Sequence, residues 1–333
     1  MRYAIPSLLC ATLSLSACGG AADDASAEAA PADDMASAQD AMPAAYQVVA
    51  GWPSLPEGFE MGEAAGVDVD SQGRVWVFHR GDEHPIMALD PETGEMITSF
   101  GEGMFVNAHG LEVDPEDNVW VTDTQTHQVY KFSQEGELLM TLGENGVAGL
   151  DESHFDQPTD VVIAPNGEFF VSDGYGNSRV VKFDAEGNYL MEWGEPGDGP
   201  SQFNLPHGIT LDDEGRVYVA DRTNLRVQVF TSEGEFIEEW QPEEWARPWG
   251  LEITDDGEIF VMDGGHMSPQ PPHYANVLRM SLDGEVLEHW GSYGPEAGQF
   301  SWGHDVTVGP DGAVYTVEVR NNLRAQKFTR GDM

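Results

Sequence analysis

The stretch HGLEVDPEDNVWVTD, residues 109–123, decides the fold. A strand of alternating character meets a tight acidic turn, and a second strand then runs back and ends on an aspartate. The pattern occurs six times, with starts 42 to 55 residues apart. A period near 45 residues made of short strands is typical of a β-propeller. The six starts are AGVDVD at Ala65, HGLEVD at His109, TDVVIA at Thr159, HGITLD at His207, WGLEIT at Trp249 and HDVTVG at His304.

Each repeat continues with a third, apolar strand, a glycine turn and a fourth strand, so one repeat makes one four-stranded antiparallel blade. The sixth repeat stops after its third strand, at residues 326–328, and the segment YQVVAGW at residues 46–52 can supply the missing strand. A ring closed in this way has no open sheet edge. We therefore predict an all-β fold, a six-bladed β-propeller over residues 45–330 whose repeats resemble the NHL type.

The first residues are typical of an export signal. Residues 4–17 are mostly small or apolar, a run too short to cross a bilayer as a helix, and they lead into LSAC at residues 15–18. This ending resembles a bacterial lipobox, in which Cys18 is lipidated; the alternative is an ordinary cleaved signal with a chance cysteine. We expect a lipoprotein signal peptide over residues 1–18 and a membrane contact through the lipid anchor only. The expected location is the cell envelope, at the periplasmic face or the surface of the outer membrane.

Composition limits the remaining possibilities. Residues 19–44 are rich in Ala, Asp, Ser and Pro, so we expect a disordered acidic linker there. Apart from Cys18, the only cysteine is Cys10, which lies inside the predicted signal, so no disulfide is expected in the mature chain. Lys and Arg number 15 against 59 Asp and Glu, a net charge of -44. Such a charge repels phosphate and excludes a nucleic-acid partner.

Comparison of the six repeats position by position predicts a metal site. The first residue of each inner strand lies at the mouth of the central channel, and it is histidine in alternate repeats: His109, His207 and His304. Blades two apart stand a third of a turn apart, so the three imidazoles are expected to converge on the axis. Three neutral imidazoles with an open fourth position are a catalytic zinc arrangement. The alternative is that these are rim histidines hydrogen-bonded to the backbone.

A second set of positions, at the end of the second strand, is mostly acidic and is expected to cap the backbone amides of the loops. The next residue is Arg80 in the first repeat and Arg222 in the fourth, and these blades face each other across the ring. Two guanidinium groups beside a metal suit a substrate that carries a carboxylate. One residue further along, the third repeat offers Tyr175. The alternatives are that both arginines pair with nearby carboxylates and that Tyr175 is a packing residue.

Several stretches resemble the lyase domain of peptide-amidating enzymes, the peptidyl-α-hydroxyglycine α-amidating lyases. The resemblance covers residues 62 to 328 and is weakest in the fifth repeat. Generic NHL repeats lack the histidine triplet, so the shared motifs are specific. The matching stretches are FHRGD at residues 78–82, HGL at 109–111, VTD at 121–123, SDGY at 172–175, ADR at 220–222 and HDV at 304–306.

The resemblance implies a zinc-dependent carbon–nitrogen lyase that cleaves peptidyl-α-hydroxyglycine, or a similar hemiaminal, into an amide and glyoxylate. It implies zinc ligation by the three histidines and substrate or catalytic roles for Arg80, Tyr175 and Arg222. It also implies a structural calcium ion bound by the Val67 and Leu111 carbonyls and the Asp305 carboxylate, hard oxygen ligands that suit this ion.

One departure from the family concerns the substrate. Trp302-Gly303 stands where the family usually has Met-Pro before the last histidine, and the bulkier indole is expected to narrow the pocket.

Two other functions compete with the lyase: a non-catalytic binding or scaffold propeller of the cell envelope, and a metal-dependent hydrolase such as a lactonase. A lactonase usually has carboxylate ligands at the axis, whereas these repeats offer imidazoles there.

Overall fold

The repeated strand pattern forms six four-stranded antiparallel sheets, each the blade of a propeller. The computed structural model describes residues 46–243, 245–265 and 275–331. The predicted signal peptide with Cys18 and the predicted linker lie outside the described residues. Among the residues that are described, no helix has the length and apolar character needed to span a bilayer.

The strands follow the chain from blade to blade. The N-terminal strand is β1 (Tyr46–Val48), and blade 1 contains β2 (Ala64–Val69), β3 (Val75–His79), β4 (Ile86–Leu89) and β5 (Met96–Phe100). Blade 2 contains β6 (Ala108–Val113), β7 (Val119–Asp123), β8 (Gln128–Phe132) and β9 (Leu138–Leu142). Blade 3 contains β10 (Pro158–Ile163), β11 (Phe169–Asp173), β12 (Arg179–Phe183) and β13 (Tyr189–Trp193), and the following loop holds the short parallel pair β14 (Glu195–Pro196) and β15 (Gln202–Phe203).

Blade 4 contains β16 (Pro206–Leu211), β17 (Val217–Asp221), β18 (Arg226–Phe230) and β19 (Phe236–Trp240), with a 3₁₀ turn at Arg222–Asn224. Blade 5 contains β20 (Pro248–Ile253), β21 (Glu258–Asp263), β22 (Asn276–Ser281) and β23 (Val286–Trp290). Blade 6 contains β24 (Gly303–Val308), β25 (Val314–Glu318) and β26 (Arg324–Arg330). Its fourth strand is β1, which pairs antiparallel with β26.

The six blades stand in a ring. The inner strands β2, β6, β10, β16, β20 and β24 contact one another in this order, and β24 also contacts β2. Six clusters of buried apolar side chains each lie between two neighbouring blades, including one between blades 6 and 1. Burial of this apolar surface holds the blades together, since the described chain has no disulfide. The predicted six-bladed propeller is thus confirmed.

The two rims of the ring differ. In blade 2, Ala108 pairs with Asp123 at one end of the sheet and Val113 pairs with Val119 at the other. The end with Ala108 also receives the connection from the preceding blade; we call this rim the loop face and the opposite one the turn face. At the turn face Asp114 accepts hydrogen bonds from the backbone N–H of Asn118 (2.8 Å) and from Trp120 Nε1 (2.9 Å), which holds the turn tight.

Candidate functional site

A β-bulge opens every inner strand at the loop face. In each blade the register between the first and second strands shifts at the start of the inner strand. The shift lies between Ala108 and Leu111 in blade 2 and between Pro206 and Ile209 in blade 4. The same shift occurs in the other four blades. A bulge re-aims the side chain that it carries. Here it carries His109, His207 and His304.

The three histidines meet over the channel. Their ring centroids form a nearly equilateral triangle, with separations of 4.6 Å for His109–His207, 4.6 Å for His109–His304 and 4.9 Å for His207–His304. Each ring offers one nitrogen that lies within 4.8 Å of the nitrogens offered by the other two. The predicted convergence is therefore confirmed.

The other nitrogen of each ring orients it. His109 Nδ1 donates to the Thr159 carbonyl (2.6 Å), His207 Nδ1 to Trp249 (3.1 Å) and His304 Nδ1 to Ala65 (2.6 Å). Each acceptor is the second residue of the next inner strand. With the proton on Nδ1, Nε2 is left with a lone pair, as a metal ligand requires. The alternative of backbone-bonded rim histidines thus describes only one side of each ring.

Glycine allows these bonds because it lets neighbouring inner strands approach closely. A Cβ on Gly110 would lie 2.7 Å from the Thr159 carbonyl oxygen, which is the acceptor for His109. A Cβ on Gly208 would collide with the Trp249 carbonyl oxygen, which is the acceptor for His207. Gly110 and Gly208, which follow His109 and His207, are therefore part of the site.

The histidines are held neutral. All three are buried. Burial, and then the positive charges of neighbouring groups that include Arg80 and Arg222, lower the pKa of His109 and His304 well below the usual range. Burial also lowers the pKa of His207, and the neighbouring His109 and Arg222 lower it further. His304 Nε2 is buried and has no hydrogen-bond partner in the described structure. Such an orphaned lone pair beside two others fits a metal ion.

Tyr175 stands next to this ring, on the loop that follows β11. Its hydroxyl lies 3.2 Å from His109 Nε2 and 3.5 Å from His207 Nε2. A Cβ on Gly174 would collide with the Pro206 carbonyl oxygen, so only glycine allows the chain to pass here and present the phenol. Tyr175 is 37% exposed, which makes the packing alternative a poor description of it.

The two predicted arginines have different surroundings. Arg222 is buried, and its Nη1 donates to the Tyr175 hydroxyl (3.2 Å) while its guanidinium lies 4.3 Å from the centre of the Trp249 ring. Burial lowers the pKa of Arg222, although Tyr175 acts in the opposite direction. Arg80 forms an ion pair with Glu63 and donates from Nε to the Ala108 carbonyl (3.0 Å). The carboxylate-pairing alternative therefore holds for Arg80 and not for Arg222.

The acidic positions at the ends of the second strands cap the loops, as predicted. Asp123 accepts hydrogen bonds from the backbone N–H groups of Val106 (2.6 Å) and Asn107 (2.9 Å). In blade 1 His79 replaces the acid, and its Nδ1 accepts from the Gly81 N–H (2.9 Å). Equivalent bonds to loop amides are made by Asp173, Asp221, Asp263 and Glu318.

A second group of titratable side chains lies deeper in the channel. A cavity of about 10 Å³ is lined by the three histidines together with Asp160 and Asp305. Beyond them lie the carboxylates of the fourth position of the inner strands, Asp68, Glu112 and Glu252. Comparison of the repeats at their second and fourth positions would have revealed all five, but only Asp305 was singled out.

Enclosure in the channel disfavours the charged forms of these acids. Burial raises the pKa of Asp68 to about 6 and that of Asp160 to about 8. Burial, followed by repulsion from the neighbouring carboxylates, raises the pKa of Glu112, Glu252 and Asp305 well above the usual range. A cation among them would remove this repulsion.

The residues expected to bind calcium lie on three adjacent inner strands. Asp305 on β24 accepts a hydrogen bond from the Val67 N–H on β2 (3.1 Å). Leu111 follows on β6, and a Cβ on Gly66 of β2 would lie 2.7 Å from the Leu111 nitrogen. The fold therefore brings Val67, Leu111 and Asp305 to the same part of the channel.

The NHL repeat model matches residues 155–183 and 203–230. The chain is 33% identical over 304 residues to peptidyl-glycine alpha-amidating monooxygenase B of Xenopus laevis, a match that covers 81% of this chain and 34% of that protein. It is 31% identical over 313 residues to peptidyl-alpha-hydroxyglycine alpha-amidating lyase 2 of Drosophila melanogaster, which covers 84% of this chain and 74% of that protein. The chain belongs to the peptidyl-α-hydroxyglycine α-amidating lyase family.

The predicted family is thereby confirmed. The chain spans about a third of the length of the Xenopus monooxygenase that it matches. Among solved structures, a streptogramin B lyase is similar with a TM-score of 0.58 at 18% identity, over 82% of this chain and 95% of that one. At that identity the likeness supports the propeller fold alone.

This member of the lyase family has an aromatic and basic sector on the loop face, beside the histidine ring. Trp302 packs against Trp249, with ring centroids 6.1 Å apart, and Arg320 lies over the Trp302 ring at 4.2 Å. Arg247 lies two residues before Trp249, and Trp302 lies two residues before His304, so both residues occupy the same position of their repeats. Comparison of that position across the repeats draws attention to Arg247 as well as Trp302.

Proposed function

We propose that this chain is a zinc-dependent lyase that cleaves the C–N bond of a peptidyl-α-hydroxyglycine, or a similar hemiaminal, into an amide and glyoxylate. One observation carries the proposal: three neutral imidazoles converge beside a phenol that also contacts an arginine. A proton-transfer group next to a metal site and a group that binds carboxylates are what this reaction requires.

His109, His207 and His304 would hold the zinc through Nε2, because backbone carbonyls occupy the Nδ1 protons. Three nitrogen ligands with a remaining open position are the donor set of catalytic zinc sites. A zinc ion bound there acts as a Lewis acid and lowers the pKa of a hydroxyl group that coordinates to it.

Tyr175 would transfer the proton. Acting as its phenolate, it takes the proton of the substrate hydroxyl as the carbonyl of glyoxylate forms and the C–N bond breaks. The same proton then passes to the departing amide nitrogen, so the reaction needs no external acid or base. Arg222 stabilises negative charge on the phenol oxygen, since its Nη1 donates to that atom.

Arginine would orient the substrate carboxylate. Arg222 has no carboxylate of its own among the described residues, and it lies beside Tyr175. Arg80 is paired with Glu63, yet its charge acts on His109 and His304, so it lies close to the same site. The two cations therefore provide positive potential at the mouth of the channel in an otherwise strongly acidic protein.

We further propose that the channel holds a structural calcium ion at Val67, Leu111 and Asp305. The support is the chemistry of the donors: carbonyl and carboxylate oxygens are hard ligands, and the surrounding acids repel one another when they are charged.

The proposed activity is tested by glyoxylate release from a synthetic peptidyl-α-hydroxyglycine. We expect turnover by the purified protein, loss of turnover after treatment with a chelator, and recovery on addition of zinc. Metal analysis should give about one zinc per chain. A protein that binds zinc and releases no glyoxylate would instead support the binding or scaffold function.

We also propose that the chain is attached to the cell envelope through lipidated Cys18, at the periplasmic face or the outer-membrane surface. The support is the LSAC sequence alone. Cells fed a radioactive fatty acid should label the protein and not its Cys18→Ser variant; label retained by the variant would contradict the proposal.

A further inference from the structure

Three arginines lack the partner that every other described arginine has. Although the chain carries 59 acidic residues, no described carboxylate lies within 4.0 Å of Arg222, Arg247 or Arg320. Each remaining described arginine forms such an ion pair. In a protein this acidic, a guanidinium without a carboxylate is the exception, and it is the state expected of a group that receives an anionic ligand.

The three unpaired arginines occupy one sector of the loop face. Arg222 follows the second strand of blade 4, Arg247 precedes the inner strand of blade 5, and Arg320 follows the second strand of blade 6. The positive charges of Arg247 and Arg320 reach the Arg222 guanidinium, where they add to the effect of burial in lowering its pKa. Mutual repulsion of three like charges is unfavourable until an anion binds.

Two indole rings line the sector. Arg222 lies over Trp249 at 4.3 Å, and Arg320 lies over Trp302 at 4.2 Å. Each indole therefore fixes one guanidinium by a cation–π contact, and the edge of that guanidinium stays available for a ligand. The Nε and Nη1 atoms of Arg247 are buried and have no hydrogen-bond partner among the described residues. Buried donors of this kind normally have hydrogen-bond partners, so the sector lacks an acceptor for these two atoms among the described residues.

The backbone of Arg320 adds a second, independent observation. Its φ is 66°, in the left-handed region, and the equivalent residue of blade 5 is Gly265 with φ 78°. Glycine adopts this conformation without strain, whereas a residue with a Cβ does not. Blade 6 thus keeps an arginine at a position that favours glycine, as happens where a side chain is needed for function.

We infer that Arg247 and Arg320, with Trp302, form a subsite for a second carboxylate, so that the preferred substrates are α-hydroxyglycine derivatives whose acyl part is acidic. This inference rests on the proposed lyase function, in which Arg222 faces the carboxylate of the α-hydroxyglycine itself. A peptide with an acidic residue directly before the α-hydroxyglycine belongs to this class.

A single carboxylate does not account for the whole sector. One bidentate guanidinium engages both oxygens of a carboxylate. Arg222 and Arg320 stand on blades two apart in the ring, with Trp249 and Trp302 in contact along the way. A ligand that engages both ends of this sector needs an anionic group at each end, and the indoles then contact the carbon chain between the two groups.

The test compares substrates that differ only in charge. N-acetyl-Glu-α-hydroxyglycine and N-acetyl-Gln-α-hydroxyglycine have the same shape, and kcat/KM for glyoxylate release is measured for both. We expect kcat/KM to be roughly tenfold higher for the Glu substrate, as one charge-assisted hydrogen-bonded contact provides. The preference should decline as salt is raised, because Arg320 is exposed to solvent.

Variants then locate the preference. Arg320→Gly removes the guanidinium and leaves the residue best suited to the left-handed backbone, so the fold and Tm should be preserved while the Glu-to-Gln ratio falls towards one. Arg320→Lys should retain part of the preference. Arg330→Gln is the matched control, since it removes an exposed positive charge from the outer part of blade 6; the ratio should not change.

The results separate this inference from the proposed function. Equal kcat/KM for the two substrates, or a preference that survives in Arg320→Gly and in Arg247→Gln, overturns the subsite while the lyase function stands. If neither substrate releases glyoxylate, the lyase function fails, and binding of the unreactive peptides N-acetyl-Glu-Gly and N-acetyl-Gln-Gly is measured by calorimetry. Tighter binding of the Glu peptide then supports the subsite, and equal binding overturns it.

Discussion

The histidine ring and the carboxylates beneath it come from the same six inner strands, yet their physical states are opposite. Each imidazole donates its Nδ1 proton to a backbone carbonyl and is neutral, so the three rings do not repel one another. The carboxylates Asp160 and Asp305 lie on opposite blades and line a cavity of about 10 Å³. Burial raises the pKa of both, and repulsion from Asp68 at Asp160 and from Asp160 at Asp305 adds to this effect.

Under the proposed function, this difference lets one scaffold provide two kinds of cation site. A ring of neutral nitrogen donors is preorganised and stable without its metal, so a metal bound there can be reserved for chemistry. A ring of carboxylates is unfavourable when it is charged, so a cation bound there contributes to stability. Removing members of each ring should therefore affect activity in one case and stability in the other.

The largest effect is expected from His207→Ala. Loss of one of three ligands should remove the zinc and lower kcat/KM for glyoxylate release by roughly 10³-fold or more. The Tm should change little in comparison, because the ring is not part of the apolar clusters between the blades. Metal analysis and thermal unfolding monitored by circular dichroism check both statements. His289→Ala, an exposed histidine on β23, is the control; bound zinc in His207→Ala would disprove the three-histidine site.

Tyr175→Phe should separate metal binding from proton transfer. The variant keeps the ring and loses the hydroxyl between His109 and His207, so zinc content should be unchanged while kcat falls by about 10² to 10⁴-fold. Tyr189→Phe, on the outer strand of blade 3, provides the comparison. Unchanged glyoxylate release by Tyr175→Phe would remove this residue from the mechanism.

The smallest effect concerns the carboxylates and is one of stability. The pKa of Asp160 in the folded protein, about 8, is above its value of 3.8 in the unfolded chain. Between these values the folded state holds a proton that the unfolded state has lost, so stability falls as the pH rises towards 8. For protein freed of metal by a chelator we expect the Tm at pH 8 to be roughly 5 °C lower than at pH 5.5.

Calcium should reverse this loss, because a cation favours the charged carboxylates. Excess calcium should therefore raise the Tm more at pH 8 than at pH 5.5. Asp160→Asn should flatten the pH dependence of the chelated protein. A Tm that rises with pH in the presence of chelator, or that does not respond to calcium, would show that the channel acids are not a cation site.

Much of the site could be predicted from the repeats because each blade has the same length of chain between its inner strand and the end of its second strand. His109, His207 and His304 therefore fall in one position, and Arg222 and Tyr175 lie one and two residues after the end of a second strand. Four of the five channel carboxylates, all but Asp305, and the pair Arg247 and Arg320 lie in equally regular positions. The repeats alone do not reveal them, because acidic and basic side chains usually face solvent and no single repeat shows which ones do not.

The sequence by itself determined the six blades, the strand that completes the last one and the identity of the three imidazoles, because these follow from a period along the chain. Only the tertiary structure decided which nitrogen of each ring faces the axis, that Arg80 pairs with Glu63 while Arg222 is left to Tyr175, and that two tryptophans from different blades meet. Those outcomes depend on bulges and on contacts between neighbouring blades, where groups far apart in the chain compete for the same partner.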